Sequence, residues 1–475
     1  MPTTLKVRRI DTSTPQAAKQ LAALKNPFAE QANVVSPASK KLTQAVFGEP
    51  LSPVKVVERV CNDVRQKGMS ALLHYTEQFD KVKLTARGLK VTADEMAASY
   101  AAADPEFLDS IRRVRDNINQ FQVGLIAKDA LLPVSEHYEL QLRYRPLKRV
   151  GICVPGGAAA YPSSLLMTVC PAQAAEVAEI VVVMPPTENG ANNADMQAIC
   201  HMLGVKEVYR MGGAQAVAAL AYGVEGIPPV DMIVGPGNIF VTLAKKHVFG
   251  QVAIDCLAGP SEIVIAADES AQPDFVALDM IAQAEHSPGV ALLVTWHADL
   301  PNEVERSMNK ALALLERGEQ ARVCLEEYGA FVIVRDREEA LKVVNDLAPE
   351  HLHIQTRDPE AFGEHCDNAG AIFLGPFTPV AIGDYAAGPS HVLPTGGTAR
   401  FASGLTVNDF RRRTSVMNFT RTGLRSIAED VITIATKEGL TAHAASVSAR
   451  LTDRPLQLRP SKKAAAAAAA AKMKK

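Results

Sequence analysis

A largely apolar segment, PDFVALDMIAQAEHSPG (273–289), contains three polar side chains close together, Gln283, Glu285 and His286. The apolar residues around them predict a buried helix, in which a polar group without a partner costs about 1–3 kcal/mol. Gln283 and His286 are three residues apart, so one helix face can present both to the same point. Amide oxygen and imidazole suit zinc or manganese, although a single histidine on a buried helix is more often a structural core residue.

Three other segments place histidines close to carboxylates. They contribute Asp384 and His391 in AIGDYAAGPSH (381–391), Glu438 and His443 in KEGLTAHA (437–444), and Glu350 and His351 in APEHLHI (348–354). A Glu-His pair at the start of a strand suits acid–base chemistry, because imidazole titrates near neutral pH and a carboxylate can activate water. From the residues alone we expect a metal-assisted α/β enzyme.

Glycine-containing turns follow three of the predicted strands: PGG (155–157), GGAQA (212–216) and GPGN (235–238). Ligands of open α/β sheets bind beyond the carboxyl ends of the strands, so these turns can bring backbone amides close to a ligand. Each of them can equally be an ordinary tight turn. None is a G-x-G-x-x-G followed by a suitably spaced acid, so spacing alone does not predict NAD.

Short segments rich in β-branched residues alternate with Ala-rich helical segments, which predicts βαβ units and parallel sheets. One series of strands lies in 149–157, 178–186, 205–213 and 230–237, and a second lies in 259–268, 289–296, 329–336, 350–356 and 370–376. The fold class is therefore predicted to be α/β, with two Rossmann-like domains and helical segments at both ends of the chain.

Composition excludes several classes of partner. The 475 residues carry a net charge of −2, which gives no electrostatic reason to expect nucleic acid or an anionic membrane. No uncharged apolar run reaches the roughly 18 residues of a membrane span, and the N-terminus has no apolar signal-like region. Seven scattered cysteines without a C-x-x-C motif argue against a disulfide framework or a Cys-based zinc site, and predict a cytoplasmic protein.

The motifs IDCLAGPSE, IAQAEHSPG, APEHLHIQT, GDYAAGPSHVLPT and EGLTAHAASV, with GGAQAVAALAYG and GPGNIFV upstream, occur here in a characteristic order. In order and approximate spacing the chain resembles the histidinol dehydrogenase family from about residue 45 to about residue 450. The resemblance implies NAD-dependent, zinc-requiring oxidation of L-histidinol to L-histidine through L-histidinaldehyde, the final steps of histidine biosynthesis.

The resemblance also implies a homodimer with one zinc ion per subunit and terminal domains that reach the partner subunit. The predicted divisions are an N-terminal helical segment (1–48), a discontinuous first Rossmann-like domain with the metal and catalytic residues (49–150 and 262–405), a second on the NAD side (151–261), a C-terminal helical domain (406–458) and a low-complexity tail (459–475).

Roles carried over from the family fall on individual residues of this chain. The implied zinc ligands are Gln283, His286, Asp384 and His443, and the implied catalytic pair is Glu350 and His351. These ligands and His351 would also contact the substrate, together with Ser261, His391 and Glu438. Gln215 and Asn238 match NAD contacts. Glu438 and His443 would come from the partner subunit, so a monomer is expected to be inactive.

One position departs from the family pattern. Cys153 in GICVPGG stands where the family commonly has tyrosine, so it is open whether this cofactor-binding position keeps a stacking or hydrogen-bonding contact to NAD. We do not expect Cys153 to be a nucleophile, because hydride transfer needs no thiolate.

Three alternatives remain to be weighed. A related dehydrogenase acting on another amino alcohol, or on a sulfonate-bearing alcohol, would keep the mechanism, but Glu438 and His391 suit an amino group and an imidazole and favour histidinol. A zinc hydrolase that uses Glu350 to activate water would leave GGAQA and GPGN unexplained. A non-catalytic binding protein is disfavoured by the complete acid–base pair and metal set.

Overall fold

The structure of the protein is a computed structural model, which describes residues 5–25, 37–157, 159–286 and 288–452. Contacts within the chain divide these residues into two compact units. The first unit consists of the described residues up to 126 and of 146–411, and the second consists of 127–145 and 412–452. The predicted tail (459–475) lies outside the described residues.

The N-terminal half of the described chain contains these helices and strands in order: β1 (Arg8–Asp11), α1 (Ala17–Leu24), α2 (Pro37–Phe47), α3 (Pro53–Lys67), α4 (Met69–Asp80), α5 (Ala93–Ala102), α6 (Pro105–Gly124), β2 (Ala130–Ser135), β3 (Tyr138–Pro146), β4 (Arg149–Cys153), α7 (Pro162–Ala174), β5 (Glu179–Met184), α8 (Ala194–Met202), β6 (Glu207–Arg210), α9 (Gly213–Tyr222), β7 (Met232–Val234), α10 (Ile239–Val248) and β8 (Ala253–Ile254).

The C-terminal half continues with β9 (Glu262–Ala267), α11 (Pro273–Ala284), β10 (Val290–Thr295), α12 (Leu300–Leu312), α13 (Gly318–Tyr328), β11 (Gly329–Ile333), α14 (Arg337–Leu347), β12 (His351–Gln355), α15 (Pro359–Gly363), β13 (Ala371–Leu374), α16 (Val380–Tyr385), β14 (Arg411–Phe419), α17 (Arg421–Lys437) and α18 (Thr441–Leu451).

Two parallel sheets form the centre of the first unit. Among the described residues, one sheet has six strands in the order β1-β11-β10-β9-β12-β13, and the other has five in the order β6-β5-β4-β7-β8. If β4 is numbered 1, the five-stranded sheet has the strand order 3-2-1-4-5 of a doubly wound fold. If β9 is numbered 1, the six-stranded sheet has the same order, with β1 added at the edge beside β11. Every residue of β4, β9, β10 and β12 is buried, as expected for strands covered on both faces. The predicted α/β class with two parallel sheets is confirmed.

Helices α3 to α6 pack on the five-stranded sheet. Val60 of α3 and Leu72 of α4 share a core with Val181 of β5, while Ile118 of α6 shares a core with Ile152 of β4. The apolar faces of these helices find their partner in the five-stranded sheet, which sequence patterning does not specify. The grouping of residues 49–150 with 262–405 stays a prediction. We propose instead that residues 49–126 and 146–261 form one domain.

The N-terminal segment also differs from its prediction. The helix α1 is present, but residues 8–11 form the edge strand β1, which pairs in parallel with β11. Leu5, Val7 and Ile10 are buried in the cores of the six-stranded sheet. A strand of four residues is too short for its alternation to stand out in the sequence.

The second unit combines strands and helices. An antiparallel pair, β2 and β3, is extended by β14, and the rings of Tyr138 and Phe419 stack with centroids 4.4 Å apart. Helices α17 and α18 follow, so the C-terminal region is helical as predicted but begins with a strand that the sequence analysis did not predict. Within the described residues, no helix has the length and apolar character that a membrane span requires.

Replacement of Ile10 tests how firmly β1 is built into the first unit. Ile10 is fully buried, so Ile10→Ala should lower the free energy of unfolding by about 2–5 kcal/mol, measured by urea denaturation. Leu314 is 81% exposed, and Leu314→Ala should change it by less than about 0.5 kcal/mol. Equal, small effects of both substitutions would show that β1 contributes little to the core.

Candidate functional site

The predicted catalytic pair, Glu350 and His351, lies at the amino end of β12, next to the amino end of the neighbouring strand β9. β9 and β12 pair in parallel with His351 opposite Ile263, so Ser261 and Glu262 lie beside Glu350 and His351. The carboxyl-end rule that guided the sequence analysis therefore fails for the six-stranded sheet. The glycine turns do follow that rule, because PGG, GGAQA and GPGN come directly after β4, β6 and β7 of the five-stranded sheet.

Glu350 is buried and its carboxylate is held on one side. Its Oε2 accepts hydrogen bonds from Ser261 Oγ at 2.7 Å and from the amide nitrogen of Glu262 at 2.9 Å. Burial raises the pKa of Glu350, while the charge of His351 and the hydrogen bond from Ser261 act in the opposite direction. A carboxylate with a raised pKa and one oxygen fixed in place is suited to accept a proton.

His351 is oriented by the backbone of the neighbouring strand. Its Nδ1 lies 3.1 Å from the carbonyl oxygen of Glu262, which can only accept, so Nδ1 carries a proton and Nε2 points to Asp384 Oδ1 at 3.5 Å. Burial alone would lower the pKa of His351, but the negative charges of Glu350 and Asp384 raise it to about 9. The side chain is thus placed to exchange a proton through Nε2.

Asp384 and His391 meet at the end of α16. His391 Nδ1 donates to the Asp384 carbonyl oxygen at 2.9 Å, and His391 Nε2 lies 3.3 Å from Ser164 Oγ in the first turn of α7. Burial lowers the pKa of His391, which favours a neutral imidazole. The contact with Ser164 joins the helix after β4 to the edge of the other sheet that carries the predicted catalytic pair.

Gln283 lies near the carboxyl end of α11, the helix that the sequence predicted, and His286 follows that helix. Gln283 is buried and its Nε2 has no hydrogen-bond partner, whereas His286 is exposed just beyond the helix. Burial would raise the pKa of Asp384, but the hydrogen bond and charge of His351, followed by the charges of His391 and His286, lower it. His286 is therefore close enough to Asp384 to act on its carboxylate.

These side chains fit a metal ion by their chemistry. The buried amide of Gln283 without a partner, the carboxylate of Asp384 and the imidazole of His286 are donors that zinc accepts. Across the part of the chain that is described, no three His, Cys, Asp or Glu side chains lie together in a geometry that could hold a metal ion without further groups.

Glu438 and His443 belong to the second unit. Glu438 follows α17 and His443 lies in the first turn of α18, and both side chains are exposed. Their contribution to a partner subunit's site stays a prediction.

The residues expected on the NAD side surround the five-stranded sheet. Gln215 in α9 is buried and donates to Asp80 Oδ2 at 3.3 Å, and burial raises the pKa of Asp80 to about 6. Asn238 is exposed and caps α10 by accepting from the amides of Phe240 and Val241. Cys153 ends β4, and burial raises the pKa of its thiol to about 12, so it is no thiolate at neutral pH.

A buried ion pair fixes the GPGN turn. Lys245 and Asp255 contact each other with side chains only 2% exposed. Lys245 Nζ donates to the carbonyl oxygen of Gly235 at 3.0 Å, and Asp255 Oδ2 accepts from the amide of Gly235 at 2.7 Å. Gly235 has a φ of 107°, and a Cβ there would lie 2.1 Å from the carbonyl oxygen of Cys153. Only glycine therefore fits at position 235 of this turn.

Sequence reasoning missed three features of the site. They are Glu262, the Ser164–His391 contact and the Lys245–Asp255 pair. Glu262 could have been found, since it follows Ser261 directly in GPSE and begins an apolar strand. Ser164 and the ion pair left no recognisable signal, because a serine in an apolar helix and a lysine in an amphipathic one are common.

The fold and site define an α/β enzyme with a buried carboxylate–imidazole pair and a second sheet of dinucleotide-binding strand order. The model of the histidinol dehydrogenase family matches residues 50–451. The histidinol dehydrogenase of Rhodopirellula baltica is 54% identical over 440 residues, covering 93% of this chain and 96% of that protein. For the histidinol dehydrogenase of Geobacillus kaustophilus the identity is 47% over 398 residues, with 84% and 93% covered.

A crystal structure of histidinol dehydrogenase from Elizabethkingia anophelis superposes with a TM-score of 0.84 at 30% identity, covering 94% of this chain and 99% of that one. The chain belongs to the histidinol dehydrogenase family.

Replacement of Lys245 should be costly because it leaves the Asp255 carboxylate buried without its counter-charge. Lys245→Met is expected to lower the free energy of unfolding by about 3–5 kcal/mol in urea denaturation. Combining it with Asp255→Asn should recover part of the loss. The matched control is Lys246→Met, one residue further along α10, where the side chain is exposed. Similar stability of the two lysine variants would contradict a structural role for the pair.

Proposed function

We propose that this chain catalyses the NAD⁺-dependent, zinc-requiring oxidation of L-histidinol to L-histidine through L-histidinaldehyde, the final steps of histidine biosynthesis. Membership of the histidinol dehydrogenase family supports the substrate and the reaction. The observation that carries the proposal is the buried arrangement in which Ser261 holds Glu350, and His351 lies between Glu350 and Asp384. It supports a site with two separate proton acceptors.

Zinc is proposed to bind Gln283, His286 and Asp384, with His443 of a second subunit as the fourth ligand. The amide atom of Gln283 that has no partner supports this, because rotating the amide would present its oxygen instead. Bound zinc would orient the nitrogen atoms of the substrate, and bound NAD⁺ would accept the hydrides. Gln215 and Asn238 are the proposed NAD contacts, and the residues around Cys153 would form the floor of that site.

In the first oxidation, His351 takes the proton of the alcohol through Nε2. The carbonyl oxygen of Glu262 occupies Nδ1, which leaves Nε2 as the nitrogen that exchanges protons. A cation held by Asp384 would cancel one of the two negative charges that raise the pKa of His351, and would return the imidazole toward its neutral form near pH 7. His351 is then available as a base.

In the second oxidation, Glu350 takes a proton from the water that adds to the aldehyde. Two hydrogen bonds hold its Oε2, so we assign Oε1 to the water. Burial of Glu350 excludes other water from the carboxylate and strengthens it as a base. His351, protonated in the first oxidation, gives that proton to the aldehyde oxygen as water adds. The neutral imidazole then takes the remaining hydroxyl proton of the hydrate.

Substrate recognition is assigned to side chains that match the two ends of histidinol. His391, which burial keeps neutral, suits the imidazole, and Glu438 of a second subunit suits the amino group. The active enzyme is therefore proposed to be a homodimer. Free cysteines throughout the described residues support a reducing, cytoplasmic location.

NADH stoichiometry tests the reaction and its metal together. Purified protein loaded with zinc should form about two NADH per L-histidinol, because each oxidation step delivers one hydride to NAD⁺. Chelation should abolish NADH formation, and added zinc should restore it. NADH from another amino alcohol but not from histidinol would show that the other amino alcohol is the substrate. No NADH from any alcohol would reject the proposal.

Glu350→Gln should separate the two oxidations. Loss of the base should slow oxidation of supplied histidinaldehyde by about 10²–10⁴-fold, while the histidinol-to-aldehyde step in a single turnover falls much less. Glu285→Gln removes a nearby carboxylate to which no role is assigned, and it should leave both steps close to those of the unaltered enzyme. Equal losses in both steps for Glu350→Gln would contradict the assigned role.

A further inference from the structure

Glu262 is a carboxylate in a place that normally holds an apolar side chain. It is the first residue of β9, whose sequence EIVIAA is buried throughout, and Glu262 itself is 7% exposed. Among the described residues, no lysine, arginine or histidine forms an ion pair with it. A buried carboxylate without a counter-charge is unfavourable and is kept only where hydrogen bonds satisfy it.

The hydrogen bonds of Glu262 all lead to the catalytic pair or to the loop behind it. Its Oε1 accepts from the amide of Glu350 at 3.3 Å and from the amide of Gly396 at 3.0 Å. Its own amide donates to Glu350 Oε2 at 2.9 Å, and its carbonyl oxygen accepts from His351 Nδ1 at 3.1 Å. Glu262 and Glu350 therefore hold each other reciprocally, each carboxylate bound by the other residue's backbone.

Only one of these contacts with the pair depends on the side chain at 262. The amide and the carbonyl group would be present with any residue there, because the pairing of β9 with β12 places them. The bond from the Glu350 amide to Glu262 Oε1 needs an acceptor at the end of a side chain of this length. The side chain thus acts on the peptide that carries Glu350, immediately before His351.

The same oxygen ties this peptide to the turn that follows His391. Gly396 and Gly397 have φ values of 62° and 74°, and Thr395 Oγ1 accepts from the amide of Gly259 at 2.6 Å. The turn therefore closes over the segment that leads to Ser261 and β9. Through Gly396, Glu262 joins the turn to the start of β12.

We propose that Glu262 is a positioning residue, which through its Oε1 fixes the peptide of Glu350 and so the directions of the Glu350 carboxylate and the His351 imidazole. The inference rests on the proposed function of Glu350 and His351. Burial, and next the charge of Glu350, raise the pKa of Glu262 to about 8. A neutral group with an acceptor oxygen at this point is therefore compatible with the site, and glutamine should replace glutamate.

The test compares Glu262→Ala with Glu262→Gln. Loss of the acceptor in Glu262→Ala should lower kcat for histidinaldehyde by about 10- to 100-fold, because misplacement of a reacting group costs rate rather than binding. KM for histidinaldehyde should change less than about threefold. Glu262→Gln keeps the acceptor and should recover kcat to within about threefold of the unaltered enzyme. Glu269→Ala, at an exposed position two residues beyond the far end of β9, is the matched control.

Hydrogen exchange tests the same point without turnover. The amides of 348–352 should exchange faster in Glu262→Ala than in the unaltered protein and at the original rate in Glu262→Gln. Unchanged exchange in Glu262→Ala overturns the inference even if the protein does not oxidise histidinol. Two results would overturn the positioning role of Glu262 in an active enzyme whose Glu350→Gln variant has the expected defect. One is a Glu262→Ala variant with full kcat, and the other is a Glu262→Gln variant as slow as Glu262→Ala. Either result leaves the proposed function standing.

Discussion

The parallel pairing of β9 with β12 is the constraint on which the catalytic geometry depends. The register sets His351 opposite Ile263 and so brings the two residues before β12 and β9 into contact. Side chains alternate along a strand, so a slip of one residue would turn the imidazole of His351 to the other face of the sheet and move Glu350 away from Ser261. The residues that follow on both strands are buried on both faces, and their burial holds this register.

The two sheets share one strand order but present opposite ends to the site. In the five-stranded sheet the turn after β7 lies beside the end of β4, where the order reverses, which is the usual ligand position in a doubly wound fold. In the six-stranded sheet the proposed catalytic residues lie at the amino ends of the corresponding strands, β9 and β12. The contact between Ser164, in the helix after β4, and His391 shows that the carboxyl edge of one sheet faces the amino edge of the other.

The parts of this architecture that were predictable from sequence are those with a local cause. Runs of β-branched residues predicted both parallel sheets, and the apolar residues around Gln283 predicted the helix α11. That Gln283 and His286 face one point stays a prediction. That α3 to α6 cover the five-stranded sheet, and that Glu262 reaches the Glu350 amide, depends on contacts between distant segments, which no local pattern records. The resemblance to a family, not spacing, joined Glu350 and His351 to the proposed metal ligands.

Hydrogen-bond partners separate the structural from the functional polar residues of the buried core. His353 shares a strand face with His351, yet its Nδ1 lies 2.9 Å from Asp279 Oδ2 and its Nε2 lies 2.9 Å from the carbonyl oxygen of Gly375, so both nitrogens are satisfied within the fold. His351 has one satisfied nitrogen and a longer contact to Asp384, and Gln283 keeps an amide atom without a partner. Folded proteins rarely leave a buried amide atom such as that of Gln283 unsatisfied, which supports the ligand proposed at the carboxyl end of α11.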